Sequence, residues 1–458
     1  MTLYKTSLFI FRRDLRIHDN TALNEALKYS KHVIPCFIFD PRQIQQHPYQ
    51  SKPALEFMLQ SIQDLQQQFQ DIGGTLILFQ GRPEQIIAQL KTQEAIQAVF
   101  INRDYTPFSR KRDFEIAETC KALDINLHYL ADSLLTEPEQ ALKGNHQPYQ
   151  MFTPFYNNAK QLPIALPQAL VATRFTLPSL EPSMALTEVP IADFDSNASS
   201  SGRSQALAIL NNLSHLQDYA NIRDFPALNG TSQLSAHLKF GTCSVREVFY
   251  AITKHLGSEH PLRRQLYWRD FFTHIAYHFP QVFGHAFNEK FAALKWSDNK
   301  DYFDAWCQGK TGFPIIDAGM RQLNETGDMH NRVRMIAAAF LVKDLDINWR
   351  WGERYFAQHL RDYDPCVNNG NWQWAASTGC DAQPYFRIFN PWRQQQKFDP
   401  DCQYIFRWVP ELRNTPVDSI HQWHKLHKAS DYPAPIIDHQ IASQQSKEKY
   451  KKAASERR

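Results

Sequence analysis

The feature that most constrains the fold is a regular alternation of short apolar runs and amphipathic stretches within residues 1–135. The apolar runs lie at 7–11, 32–40, 75–79, 97–101 and 125–130. The stretches with helical periodicity lie at 20–30, 53–71, 83–93 and 107–123. Short continuous apolar runs are typical of strands buried on both faces, so the alternation predicts an α/β domain with an open, parallel, Rossmann-like sheet. Because no GxGxxG or Walker A sequence follows the first run, we predict no nucleotide fingerprint there.

The chain changes character after residue 135. Residues 136–200 are rich in Pro, Ser, Gln and Ala and have weak periodicity, which predicts an inter-domain linker. Residues 201–442 have helical periodicity and predict an all-α domain. Residues 443–458 are polar and basic, and we expect a frayed helix or a disordered tail there. All ten tryptophans lie at or beyond Trp268, which also indicates two domains with different roles.

Composition excludes several classes of protein. A hydrophobic fraction of 43% with 21% charged residues is typical of a soluble globular chain, and no apolar run is long enough to cross a membrane. The N-terminus lacks the pattern of a signal peptide. Seven cysteines without a CxxC motif predict reduced thiols in the cytoplasm. The excess of basic residues lies after residue 200, which is compatible with nucleic-acid binding, although a solvated surface with a basic tail explains it as well.

Two residue spacings suggest metal sites but lack the rest of the motif. His274 and His278 lie four residues apart, but without HExxH we interpret them as a structural pair. Asp362 and Asp364 resemble part of a calcium loop that has no Glu at its twelfth position. No GxSxG or Cys/His signature is present. We therefore predict neither a metal site nor a nucleophilic triad.

Residues 330–393 concentrate amides, carboxylates and tryptophans, which suggests a pocket for a large, flat, polar molecule. An aromatic core would explain the same composition. Arg334 and Asp344 interrupt an apolar helix, and buried opposite charges are normally paired or bound to a ligand. On a helix, Trp372 and Trp374 would point about 200° apart and meet different neighbours. Backbone amides and hydroxyls of GTSQLS (230–235) could hold phosphates.

Several of these segments resemble the photolyase/cryptochrome family. The resemblance runs from residue 6 to about 435 and is carried by FRRDLRIHDN (11–20), FPALNGTSQLSAHLKFG (225–241), LYWRDFF (266–272), GKTGFPIIDAGMRQL (309–323), MHNRVRM (329–335), FLVKDL (340–345), GERYF (352–356) and NNGNWQWAASTGCDAQPYFRIFNP (368–391). It implies an N-terminal α/β domain and a helical domain that binds FAD. Similarity to bacterial class I cyclobutane pyrimidine dimer photolyases implies a monomeric carbon–carbon lyase that repairs ultraviolet-damaged DNA with light.

The resemblance also implies roles for individual positions. Flavin-contacting positions correspond to Tyr219, Thr231, Ser232, Gln233, Leu234, Ser235, Arg269, Asn331, Arg334, Asp362, Tyr363, Asp364 and Asn368, and Asp344 corresponds to the partner of Arg334. The electron-transfer chain corresponds to Trp296, Trp349 and Trp372. The lesion pocket corresponds to Gln265, Trp268, Asn331, Met335 and Trp374. Positions that would meet DNA correspond to Arg223, Arg332, Arg387 and Lys397.

The implied chemistry suits these residue types. Reduced, anionic FAD would be excited by light and pass an electron to a flipped-out dimer, which would then split. Asn368 is a neutral amide that can hydrogen-bond to flavin N5 without repelling an anion. Tryptophan is among the more easily oxidised side chains, so a row of buried rings can relay an electron. Aromatic walls can stack on the flipped bases and offset the cost of flipping.

The sequence departs from the family pattern at three places. Gln265 stands where dimer photolyases usually have Glu, and resembles the (6-4) photolyases, but Asn331 and Met335 replace the histidine pair of those enzymes. Asp328 stands where an aromatic residue commonly precedes MHNR. These departures keep a non-repairing cryptochrome as the alternative and a (6-4) photolyase as a further one. Phe108, Ser109, Val282 and Phe283 argue against the usual folate antenna, so a deazaflavin, a second flavin or no antenna remain open.

Overall fold

The computed structural model describes residues 3–178, 181–182, 185–188, 201–426 and 431–455. The end of the predicted linker (189–200) and of the predicted tail (456–458) lie outside the described residues. Contacts divide the chain into two compact units. Unit 1 comprises Met1–Tyr149, Thr153–Gln217 and Ser232–His278, and unit 2 comprises Gln150–Phe152, Asp218–Thr231 and Phe279–Arg458. The predicted boundary at residue 201 therefore falls within unit 1.

The predicted sheet is confirmed in unit 1. Its strands are β1 (Tyr4–Phe11), β2 (Ser30–Phe39), β3 (Ile77–Gln80), β4 (Ala98–Asn102) and β5 (Asn126–Leu130). They are all parallel, in the order β3-β2-β1-β4-β5, with Leu8 opposite both Ile34 and Val99. The strand order reverses between β1 and β4, and ligands of such sheets bind at this point, beyond the carboxyl ends.

Helices alternate with these strands and then predominate among the regular elements of the described chain. The helices up to residue 278 are α1 (Thr21–Tyr29), α2 (Pro41–Ile44), α3 (Lys52–Asp71), α4 (Pro83–Glu94), α5 (Pro107–Ala122), α6 (Phe152–Ala159), α7 (Gly202–Asn211), α8 (Tyr219–Ile222), α9 (Ser235–Phe240), α10 (Val245–Leu256) and α11 (Pro261–His278). Helix α6 lies within the predicted linker and buries Phe152 and Phe155.

Unit 2 contains α8 and, from residue 279 onward, ten further α-helices among the described residues. They are α12 (Lys300–Cys307), α13 (Pro314–Thr326), α14 (Asn331–Ala339), α15 (Trp349–His359), α16 (Pro365–Ala376), α17 (Pro391–Phe398), α18 (Gln403–Trp408), α19 (Val417–His421), α20 (Trp423–Leu426) and α21 (His439–Ser455). A π-helical turn, Phe340–Asp344, follows α14. Most of the predicted tail is helical in α21, where Tyr450 is fully buried.

The loop after β1, which carries much of FRRDLRIHDN, is held in unit 1 by buried ion pairs. Arg16 contacts Asp132 at 2.6 Å, and both side chains are 2% exposed. Arg246 of α10 reaches Asp132 at 2.8 Å and Asp19 at 2.9 Å. Burial opposes ionisation of Asp132, but Arg16 and Arg246 outweigh it and lower its pKa to about 2. Since breaking a buried pair leaves an uncompensated charge, this network fixes the loop and α10 beside the sheet.

Other sequence features are accounted for locally. The seven cysteines are free and buried. His278 contacts the carbonyl of Pro138 at 3.1 Å, while burial lowers the pKa of His274 to about 3. Within the described residues, no group of three His, Cys, Asp or Glu side chains could hold a metal ion. None of the described helices is both long and apolar enough to span a membrane.

Candidate functional site

One helix of unit 2, α16, carries three of the predicted functional residues. Asp364 caps its N-terminus, where the carboxylate accepts hydrogen bonds from the amides of Cys366 (2.9 Å) and Val367 (3.1 Å). Pro365 occupies the first turn, where its missing N–H costs no hydrogen bond. This cap fixes the start of the helix, and therefore the directions in which Asn368, Trp372 and Trp374 point.

Asn368 is buried, with 9% of its surface exposed. Its Nδ2 donates to the carbonyl of Glu353 at 3.0 Å, whereas its Oδ1 has no hydrogen-bond partner among the described residues. Asn369 donates to the carboxyl of Glu353 at 2.9 Å. Burial raises the pKa of Glu353 to about 7, which keeps negative charge near Asn368 low. The surroundings of Asn368 therefore suit a ligand group that donates a hydrogen bond to its Oδ1.

The two tryptophans of α16 have different surroundings, as their spacing predicts. Trp372 is 2% exposed and its ring lies 4.9 Å from Phe356 and 6.1 Å from Trp306. Trp374 is half-buried at the edge of the same apolar core. The ring of Trp372 therefore lies inside the core, whereas the ring of Trp374 lies at its edge.

The other predicted relay residues belong to the core that surrounds Trp372. Trp349 is 1% exposed within it, and Trp296 is a half-buried residue packed against it. Trp306, which the sequence analysis did not single out, is fully buried and lies edge-to-face with Trp372. Its only sequence signal is its place in the tryptophan-rich half.

The predicted pairing of Arg334 with Asp344 is wrong. Arg334 contacts Asp362 through two hydrogen bonds of 3.1 and 3.0 Å, and its Nε donates to the carbonyl of Met329. Asp344 instead contacts His439 of α21 at 2.5 Å, and burial raises its pKa to about 6. On an α-helix, residues ten apart are separated by about 15 Å along the axis, which is too far for a direct ion pair. The π-helical turn Phe340–Asp344 further changes the direction in which Asp344 points.

Asp328, the second departure from the family pattern, forms an ion pair with Arg361 at 2.9 Å. Arg361 also donates to the carbonyl of Thr326 at 2.7 Å. The ion pair between Asp328 and Arg361 therefore links the turn after α13 to the segment that contains Asp362. This contact explains how a carboxylate is accommodated at a position where an aromatic residue is usual.

The basic residues predicted to meet DNA in unit 2 differ in their contacts. Arg332 contacts Asp224 at 2.9 Å and lies 4.4 Å above the ring of Phe398. Arg223 lies 5.5 Å above the ring of Tyr219. The side chains of Arg387 and Lys397 are exposed.

The remaining predicted residues of unit 2 lie near these. The amide of Asn331, at the start of α14, lies 3.8 Å from the sulfur of half-buried Met335. Tyr219 is buried, which raises its pKa, and Tyr363 is half-buried. The hydroxyl of Thr231 makes no hydrogen bond within the described residues.

Unit 1 contains the other predicted residues. Gln233 adopts a left-handed conformation (φ 53°) just before α9, with Leu234 buried and Ser232 and Ser235 making no side-chain hydrogen bond to described residues. On α11, Arg269 donates to the carbonyl of Ser133 at 2.6 Å. Half-buried Gln265 lies one turn before Trp268, whose ring packs 5.5 Å from that of Phe272.

These groups fit FAD by their chemistry. In unit 2, the carbonyl oxygen of Asn368 and the hydroxyl of Thr231 make no hydrogen bond among the described residues, so each could pair with a polar group of such a cofactor. In unit 1, the hydroxyls of Ser232 and Ser235 could donate to phosphate oxygens. The carboxylate of Asp362 is already paired with Arg334 and adds little free negative charge.

A small cavity lies in unit 1 at the reversal of strand order. It is lined by Arg12, Arg13, Asp14, Asn102, Arg103, Asp104, Asp132 and Ser133. Although burial favours protonation of Asp104, Arg13 and its neighbours hold its pKa below the ordinary value. Ser109 donates to Asp104 at 2.8 Å, and Phe108 lies below Arg42 at 5.3 Å. In unit 2, Val282 is buried and Phe283 half-buried.

Comparison with known proteins gives matches over nearly the whole chain. The family model "DNA photolyase" matches residues 7–172, and "FAD binding domain of DNA photolyase" matches residues 262–452. A deoxyribodipyrimidine photo-lyase of Synechococcus is 39% identical over 97% of this chain and 96% of the relative. The crystal structure of an archaeal photolyase from Sulfolobus tokodaii with two FAD molecules has a TM-score of 0.89 and 41% identity, covering 98% of this chain and 100% of that one. A cryptochrome structure from Synechocystis has a TM-score of 0.88 and 29% identity, covering 98% and 99%.

Proposed function

Because this chain belongs to the photolyase/cryptochrome family, we propose that it is a light-driven DNA-repair enzyme that splits cyclobutane pyrimidine dimers. The observation that carries this proposal is the 39% identity to a deoxyribodipyrimidine photo-lyase along almost the full length of both chains. Bound FAD in its reduced form supplies the light-excited electron, and the residues of this chain bind, orient and shield the reactants.

Asn368 is the residue that would hold the reactive edge of the flavin. Its unpaired Oδ1 can accept a hydrogen bond from N5, while the bond from its Nδ2 to Glu353 holds the amide in one orientation. Because burial raises the pKa of Glu353 to about 7, this carboxyl carries less negative charge at neutral pH than an ordinary glutamate. The neutral amide of Asn368 would therefore tolerate the negative charge of the reduced cofactor.

Lesion binding is assigned to aromatic and basic side chains. Half-buried Trp374 in unit 2 offers a ring face for stacking on a flipped base, which is worth about 1–3 kcal/mol per base. Exposed Arg387 and Lys397 are suited to phosphate contacts, so binding should weaken as salt concentration rises.

Trp296, Trp349 and Trp372 would restore the reduced cofactor from the protein surface. Trp372 and Trp349 are almost fully buried, at 2% and 1% exposure, whereas the outer Trp296 is half-buried. A buried inner ring is shielded from water, and an accessible outer ring can be re-reduced from solution. This difference in burial supports the relay.

Repair of cyclobutane dimers is favoured over the alternatives. Asn331 and Met335 stand where a (6-4) photolyase needs its acid–base histidines. A cryptochrome role is supported by the fold shared with the Synechocystis cryptochrome. That protein is 29% identical to this chain, whereas the Synechococcus photo-lyase is 39% identical. Gln265 keeps both hydrogen-bonding functions of an amide, so it can still contact a pyrimidine dimer.

We also propose a second chromophore, a flavin or deazaflavin, beyond the carboxyl ends of β1 and β4 in unit 1. The Sulfolobus structure, described as having a novel light-harvesting cofactor, supports this proposal. Folate is disfavoured, because the hydroxyl of Ser109 is committed to Asp104 and Phe108 offers no polar group. The seven free, buried cysteines suit the reducing cytoplasm, where we expect the protein to work.

The test is illumination of the chemically reduced protein with oligonucleotides that carry either a cyclobutane dimer or a (6-4) lesion. We expect light-dependent reversal of the cyclobutane dimer alone, with a dark sample as control. Reversal of neither lesion by flavin-loaded protein would favour the cryptochrome role, and reversal of the (6-4) lesion would favour that subclass.

A further inference from the structure

Helix α21 places a cation directly over the outermost tryptophan of the proposed relay. The ammonium of Lys449 lies 4.5 Å from the centre of the Trp296 ring and also forms a salt bridge with Asp346. The backbone of Asp346 is fixed beside Trp296, because its carbonyl accepts a 2.9 Å hydrogen bond from the amide of Ser297, the residue after Trp296. Asp346, Lys449 and Trp296 thus form a defined three-residue cluster within unit 2.

The docking of α21 on this region is specific. Tyr450, next to Lys449, is fully buried, and its hydroxyl donates to the carbonyl of Ala376 at 2.6 Å. At the start of the helix, His439 contacts Asp344. Because both ends are fixed, Lys449 is held over Trp296 by the fold as well as by its own salt bridge.

We propose that Lys449 and Asp346 control how fast Trp296 loses its indole proton after oxidation, and so how long an electron vacancy stays at the end of the relay. This inference rests on the proposed function, since it assumes that Trp296 is the outer donor. It assigns Lys449 and Asp346 a role in the electron relay, in addition to the three tryptophans.

The effect of Lys449 changes sign when the ring is oxidised. An ammonium over a neutral indole is attracted to its electron-rich face. When Trp296 gives up one electron toward Trp349, the ring becomes a radical cation that the same ammonium repels. Loss of the N–H proton to water removes this repulsion and leaves a neutral radical. One electron and one proton have then left the side chain, and a soluble thiol can return both as a hydrogen atom.

Asp346 has the opposite effect on proton loss from the oxidised Trp296 ring. Its carboxylate partly neutralises the field of Lys449, so the outer ring experiences the difference between the two charges. Lys343 lies above the ring of Tyr450 at 3.4 Å, not above Trp296. Burial lowers the pKa of Lys343 well below its ordinary value, so Lys449 is the cation that faces the outer ring.

The experiment is flash excitation of the flavin-loaded, oxidised protein, with transient absorption following conversion of the tryptophan radical cation to the neutral radical. Lys449→Met should slow this conversion at least about threefold, and Asp346→Asn should accelerate it. Lys449→Arg keeps the charge and should restore the wild-type rate. Lys447→Met is the matched control, because Lys447 is exposed on the same helix. A merely structural role would not give opposite signs for the two substitutions.

The outcomes separate this inference from the proposed function. Thermal unfolding of each variant without flavin checks that α21 remains docked. Equal conversion rates in Lys449→Met and Lys447→Met would overturn the inference. If Trp296→Phe leaves the long-lived radical unchanged, Trp296 is not the outer donor and the relay assignment itself fails. If Trp296→Phe removes the radical while Lys449→Met has no effect, only the electrostatic control is refuted.

Discussion

Replacing Gly352 with alanine tests the packing that positions Trp372. Gly352 lies in α15, and a Cβ there would stand 2.1 Å from Cη2 and 2.5 Å from Cζ3 of the Trp372 ring, and 2.5 Å from Leu341. All three atoms belong to buried side chains. The glycine is therefore required by the close approach of the ring.

The magnitude follows from two opposing effects. Alanine is intrinsically better than glycine inside a helix by about 1 kcal/mol. Overpacking a filled core costs about 1–3 kcal/mol, and three contacts this short place the cost near the upper end. We therefore expect Gly352→Ala to lower the free energy of unfolding by about 2 kcal/mol.

Urea denaturation of the flavin-free protein measures this change. Gly144→Ala is the control, because a Cβ at Gly144 has no atom within 4 Å and should leave stability nearly unchanged. A Gly352→Ala protein as stable as the wild type, or more stable, would refute the packing around Trp372.

Two further predictions concern charged groups. Burial raises the pKa of Glu353 from 4.5 to about 7, so the folded state retains a proton in that window and the free energy of unfolding falls as pH rises through it. Glu353→Gln, which keeps an acceptor for Asn369, should remove this contribution to the slope in urea titrations from pH about 5 to about 8; an unaltered slope would disprove the shift. A double-mutant cycle on flavin-free protein should give a coupling energy of about 1 kcal/mol or more between Arg334 and Asp362, and almost none between Arg334 and Asp344. The reverse pattern would reinstate the pairing inferred from sequence.

The sequence was sufficient to predict the parallel sheet, because few other folds bury continuous apolar runs that alternate with amphipathic helices. It also predicted that Trp372 and Trp374 meet different surroundings, since helical geometry separates residues two apart. It could not predict the partner of Asp344, because His439 lies 95 residues away on a helix whose polar sequence resembles a tail. Nor could it place Lys449 over Trp296, because that contact depends on how α21 docks.

The central claim is that one turn of α16 serves electron supply through Trp372 and lesion binding through Trp374. Each function is measured in both variants: photoreduction of the oxidised cofactor, and affinity for DNA with a cyclobutane dimer. We expect Trp372→Phe to slow photoreduction and leave repair by chemically reduced protein intact. Trp374→Ala should weaken lesion binding by about 1–3 kcal/mol and leave the flavin absorption spectrum nearly unchanged. Loss of both functions in either variant, or of neither, would contradict the account.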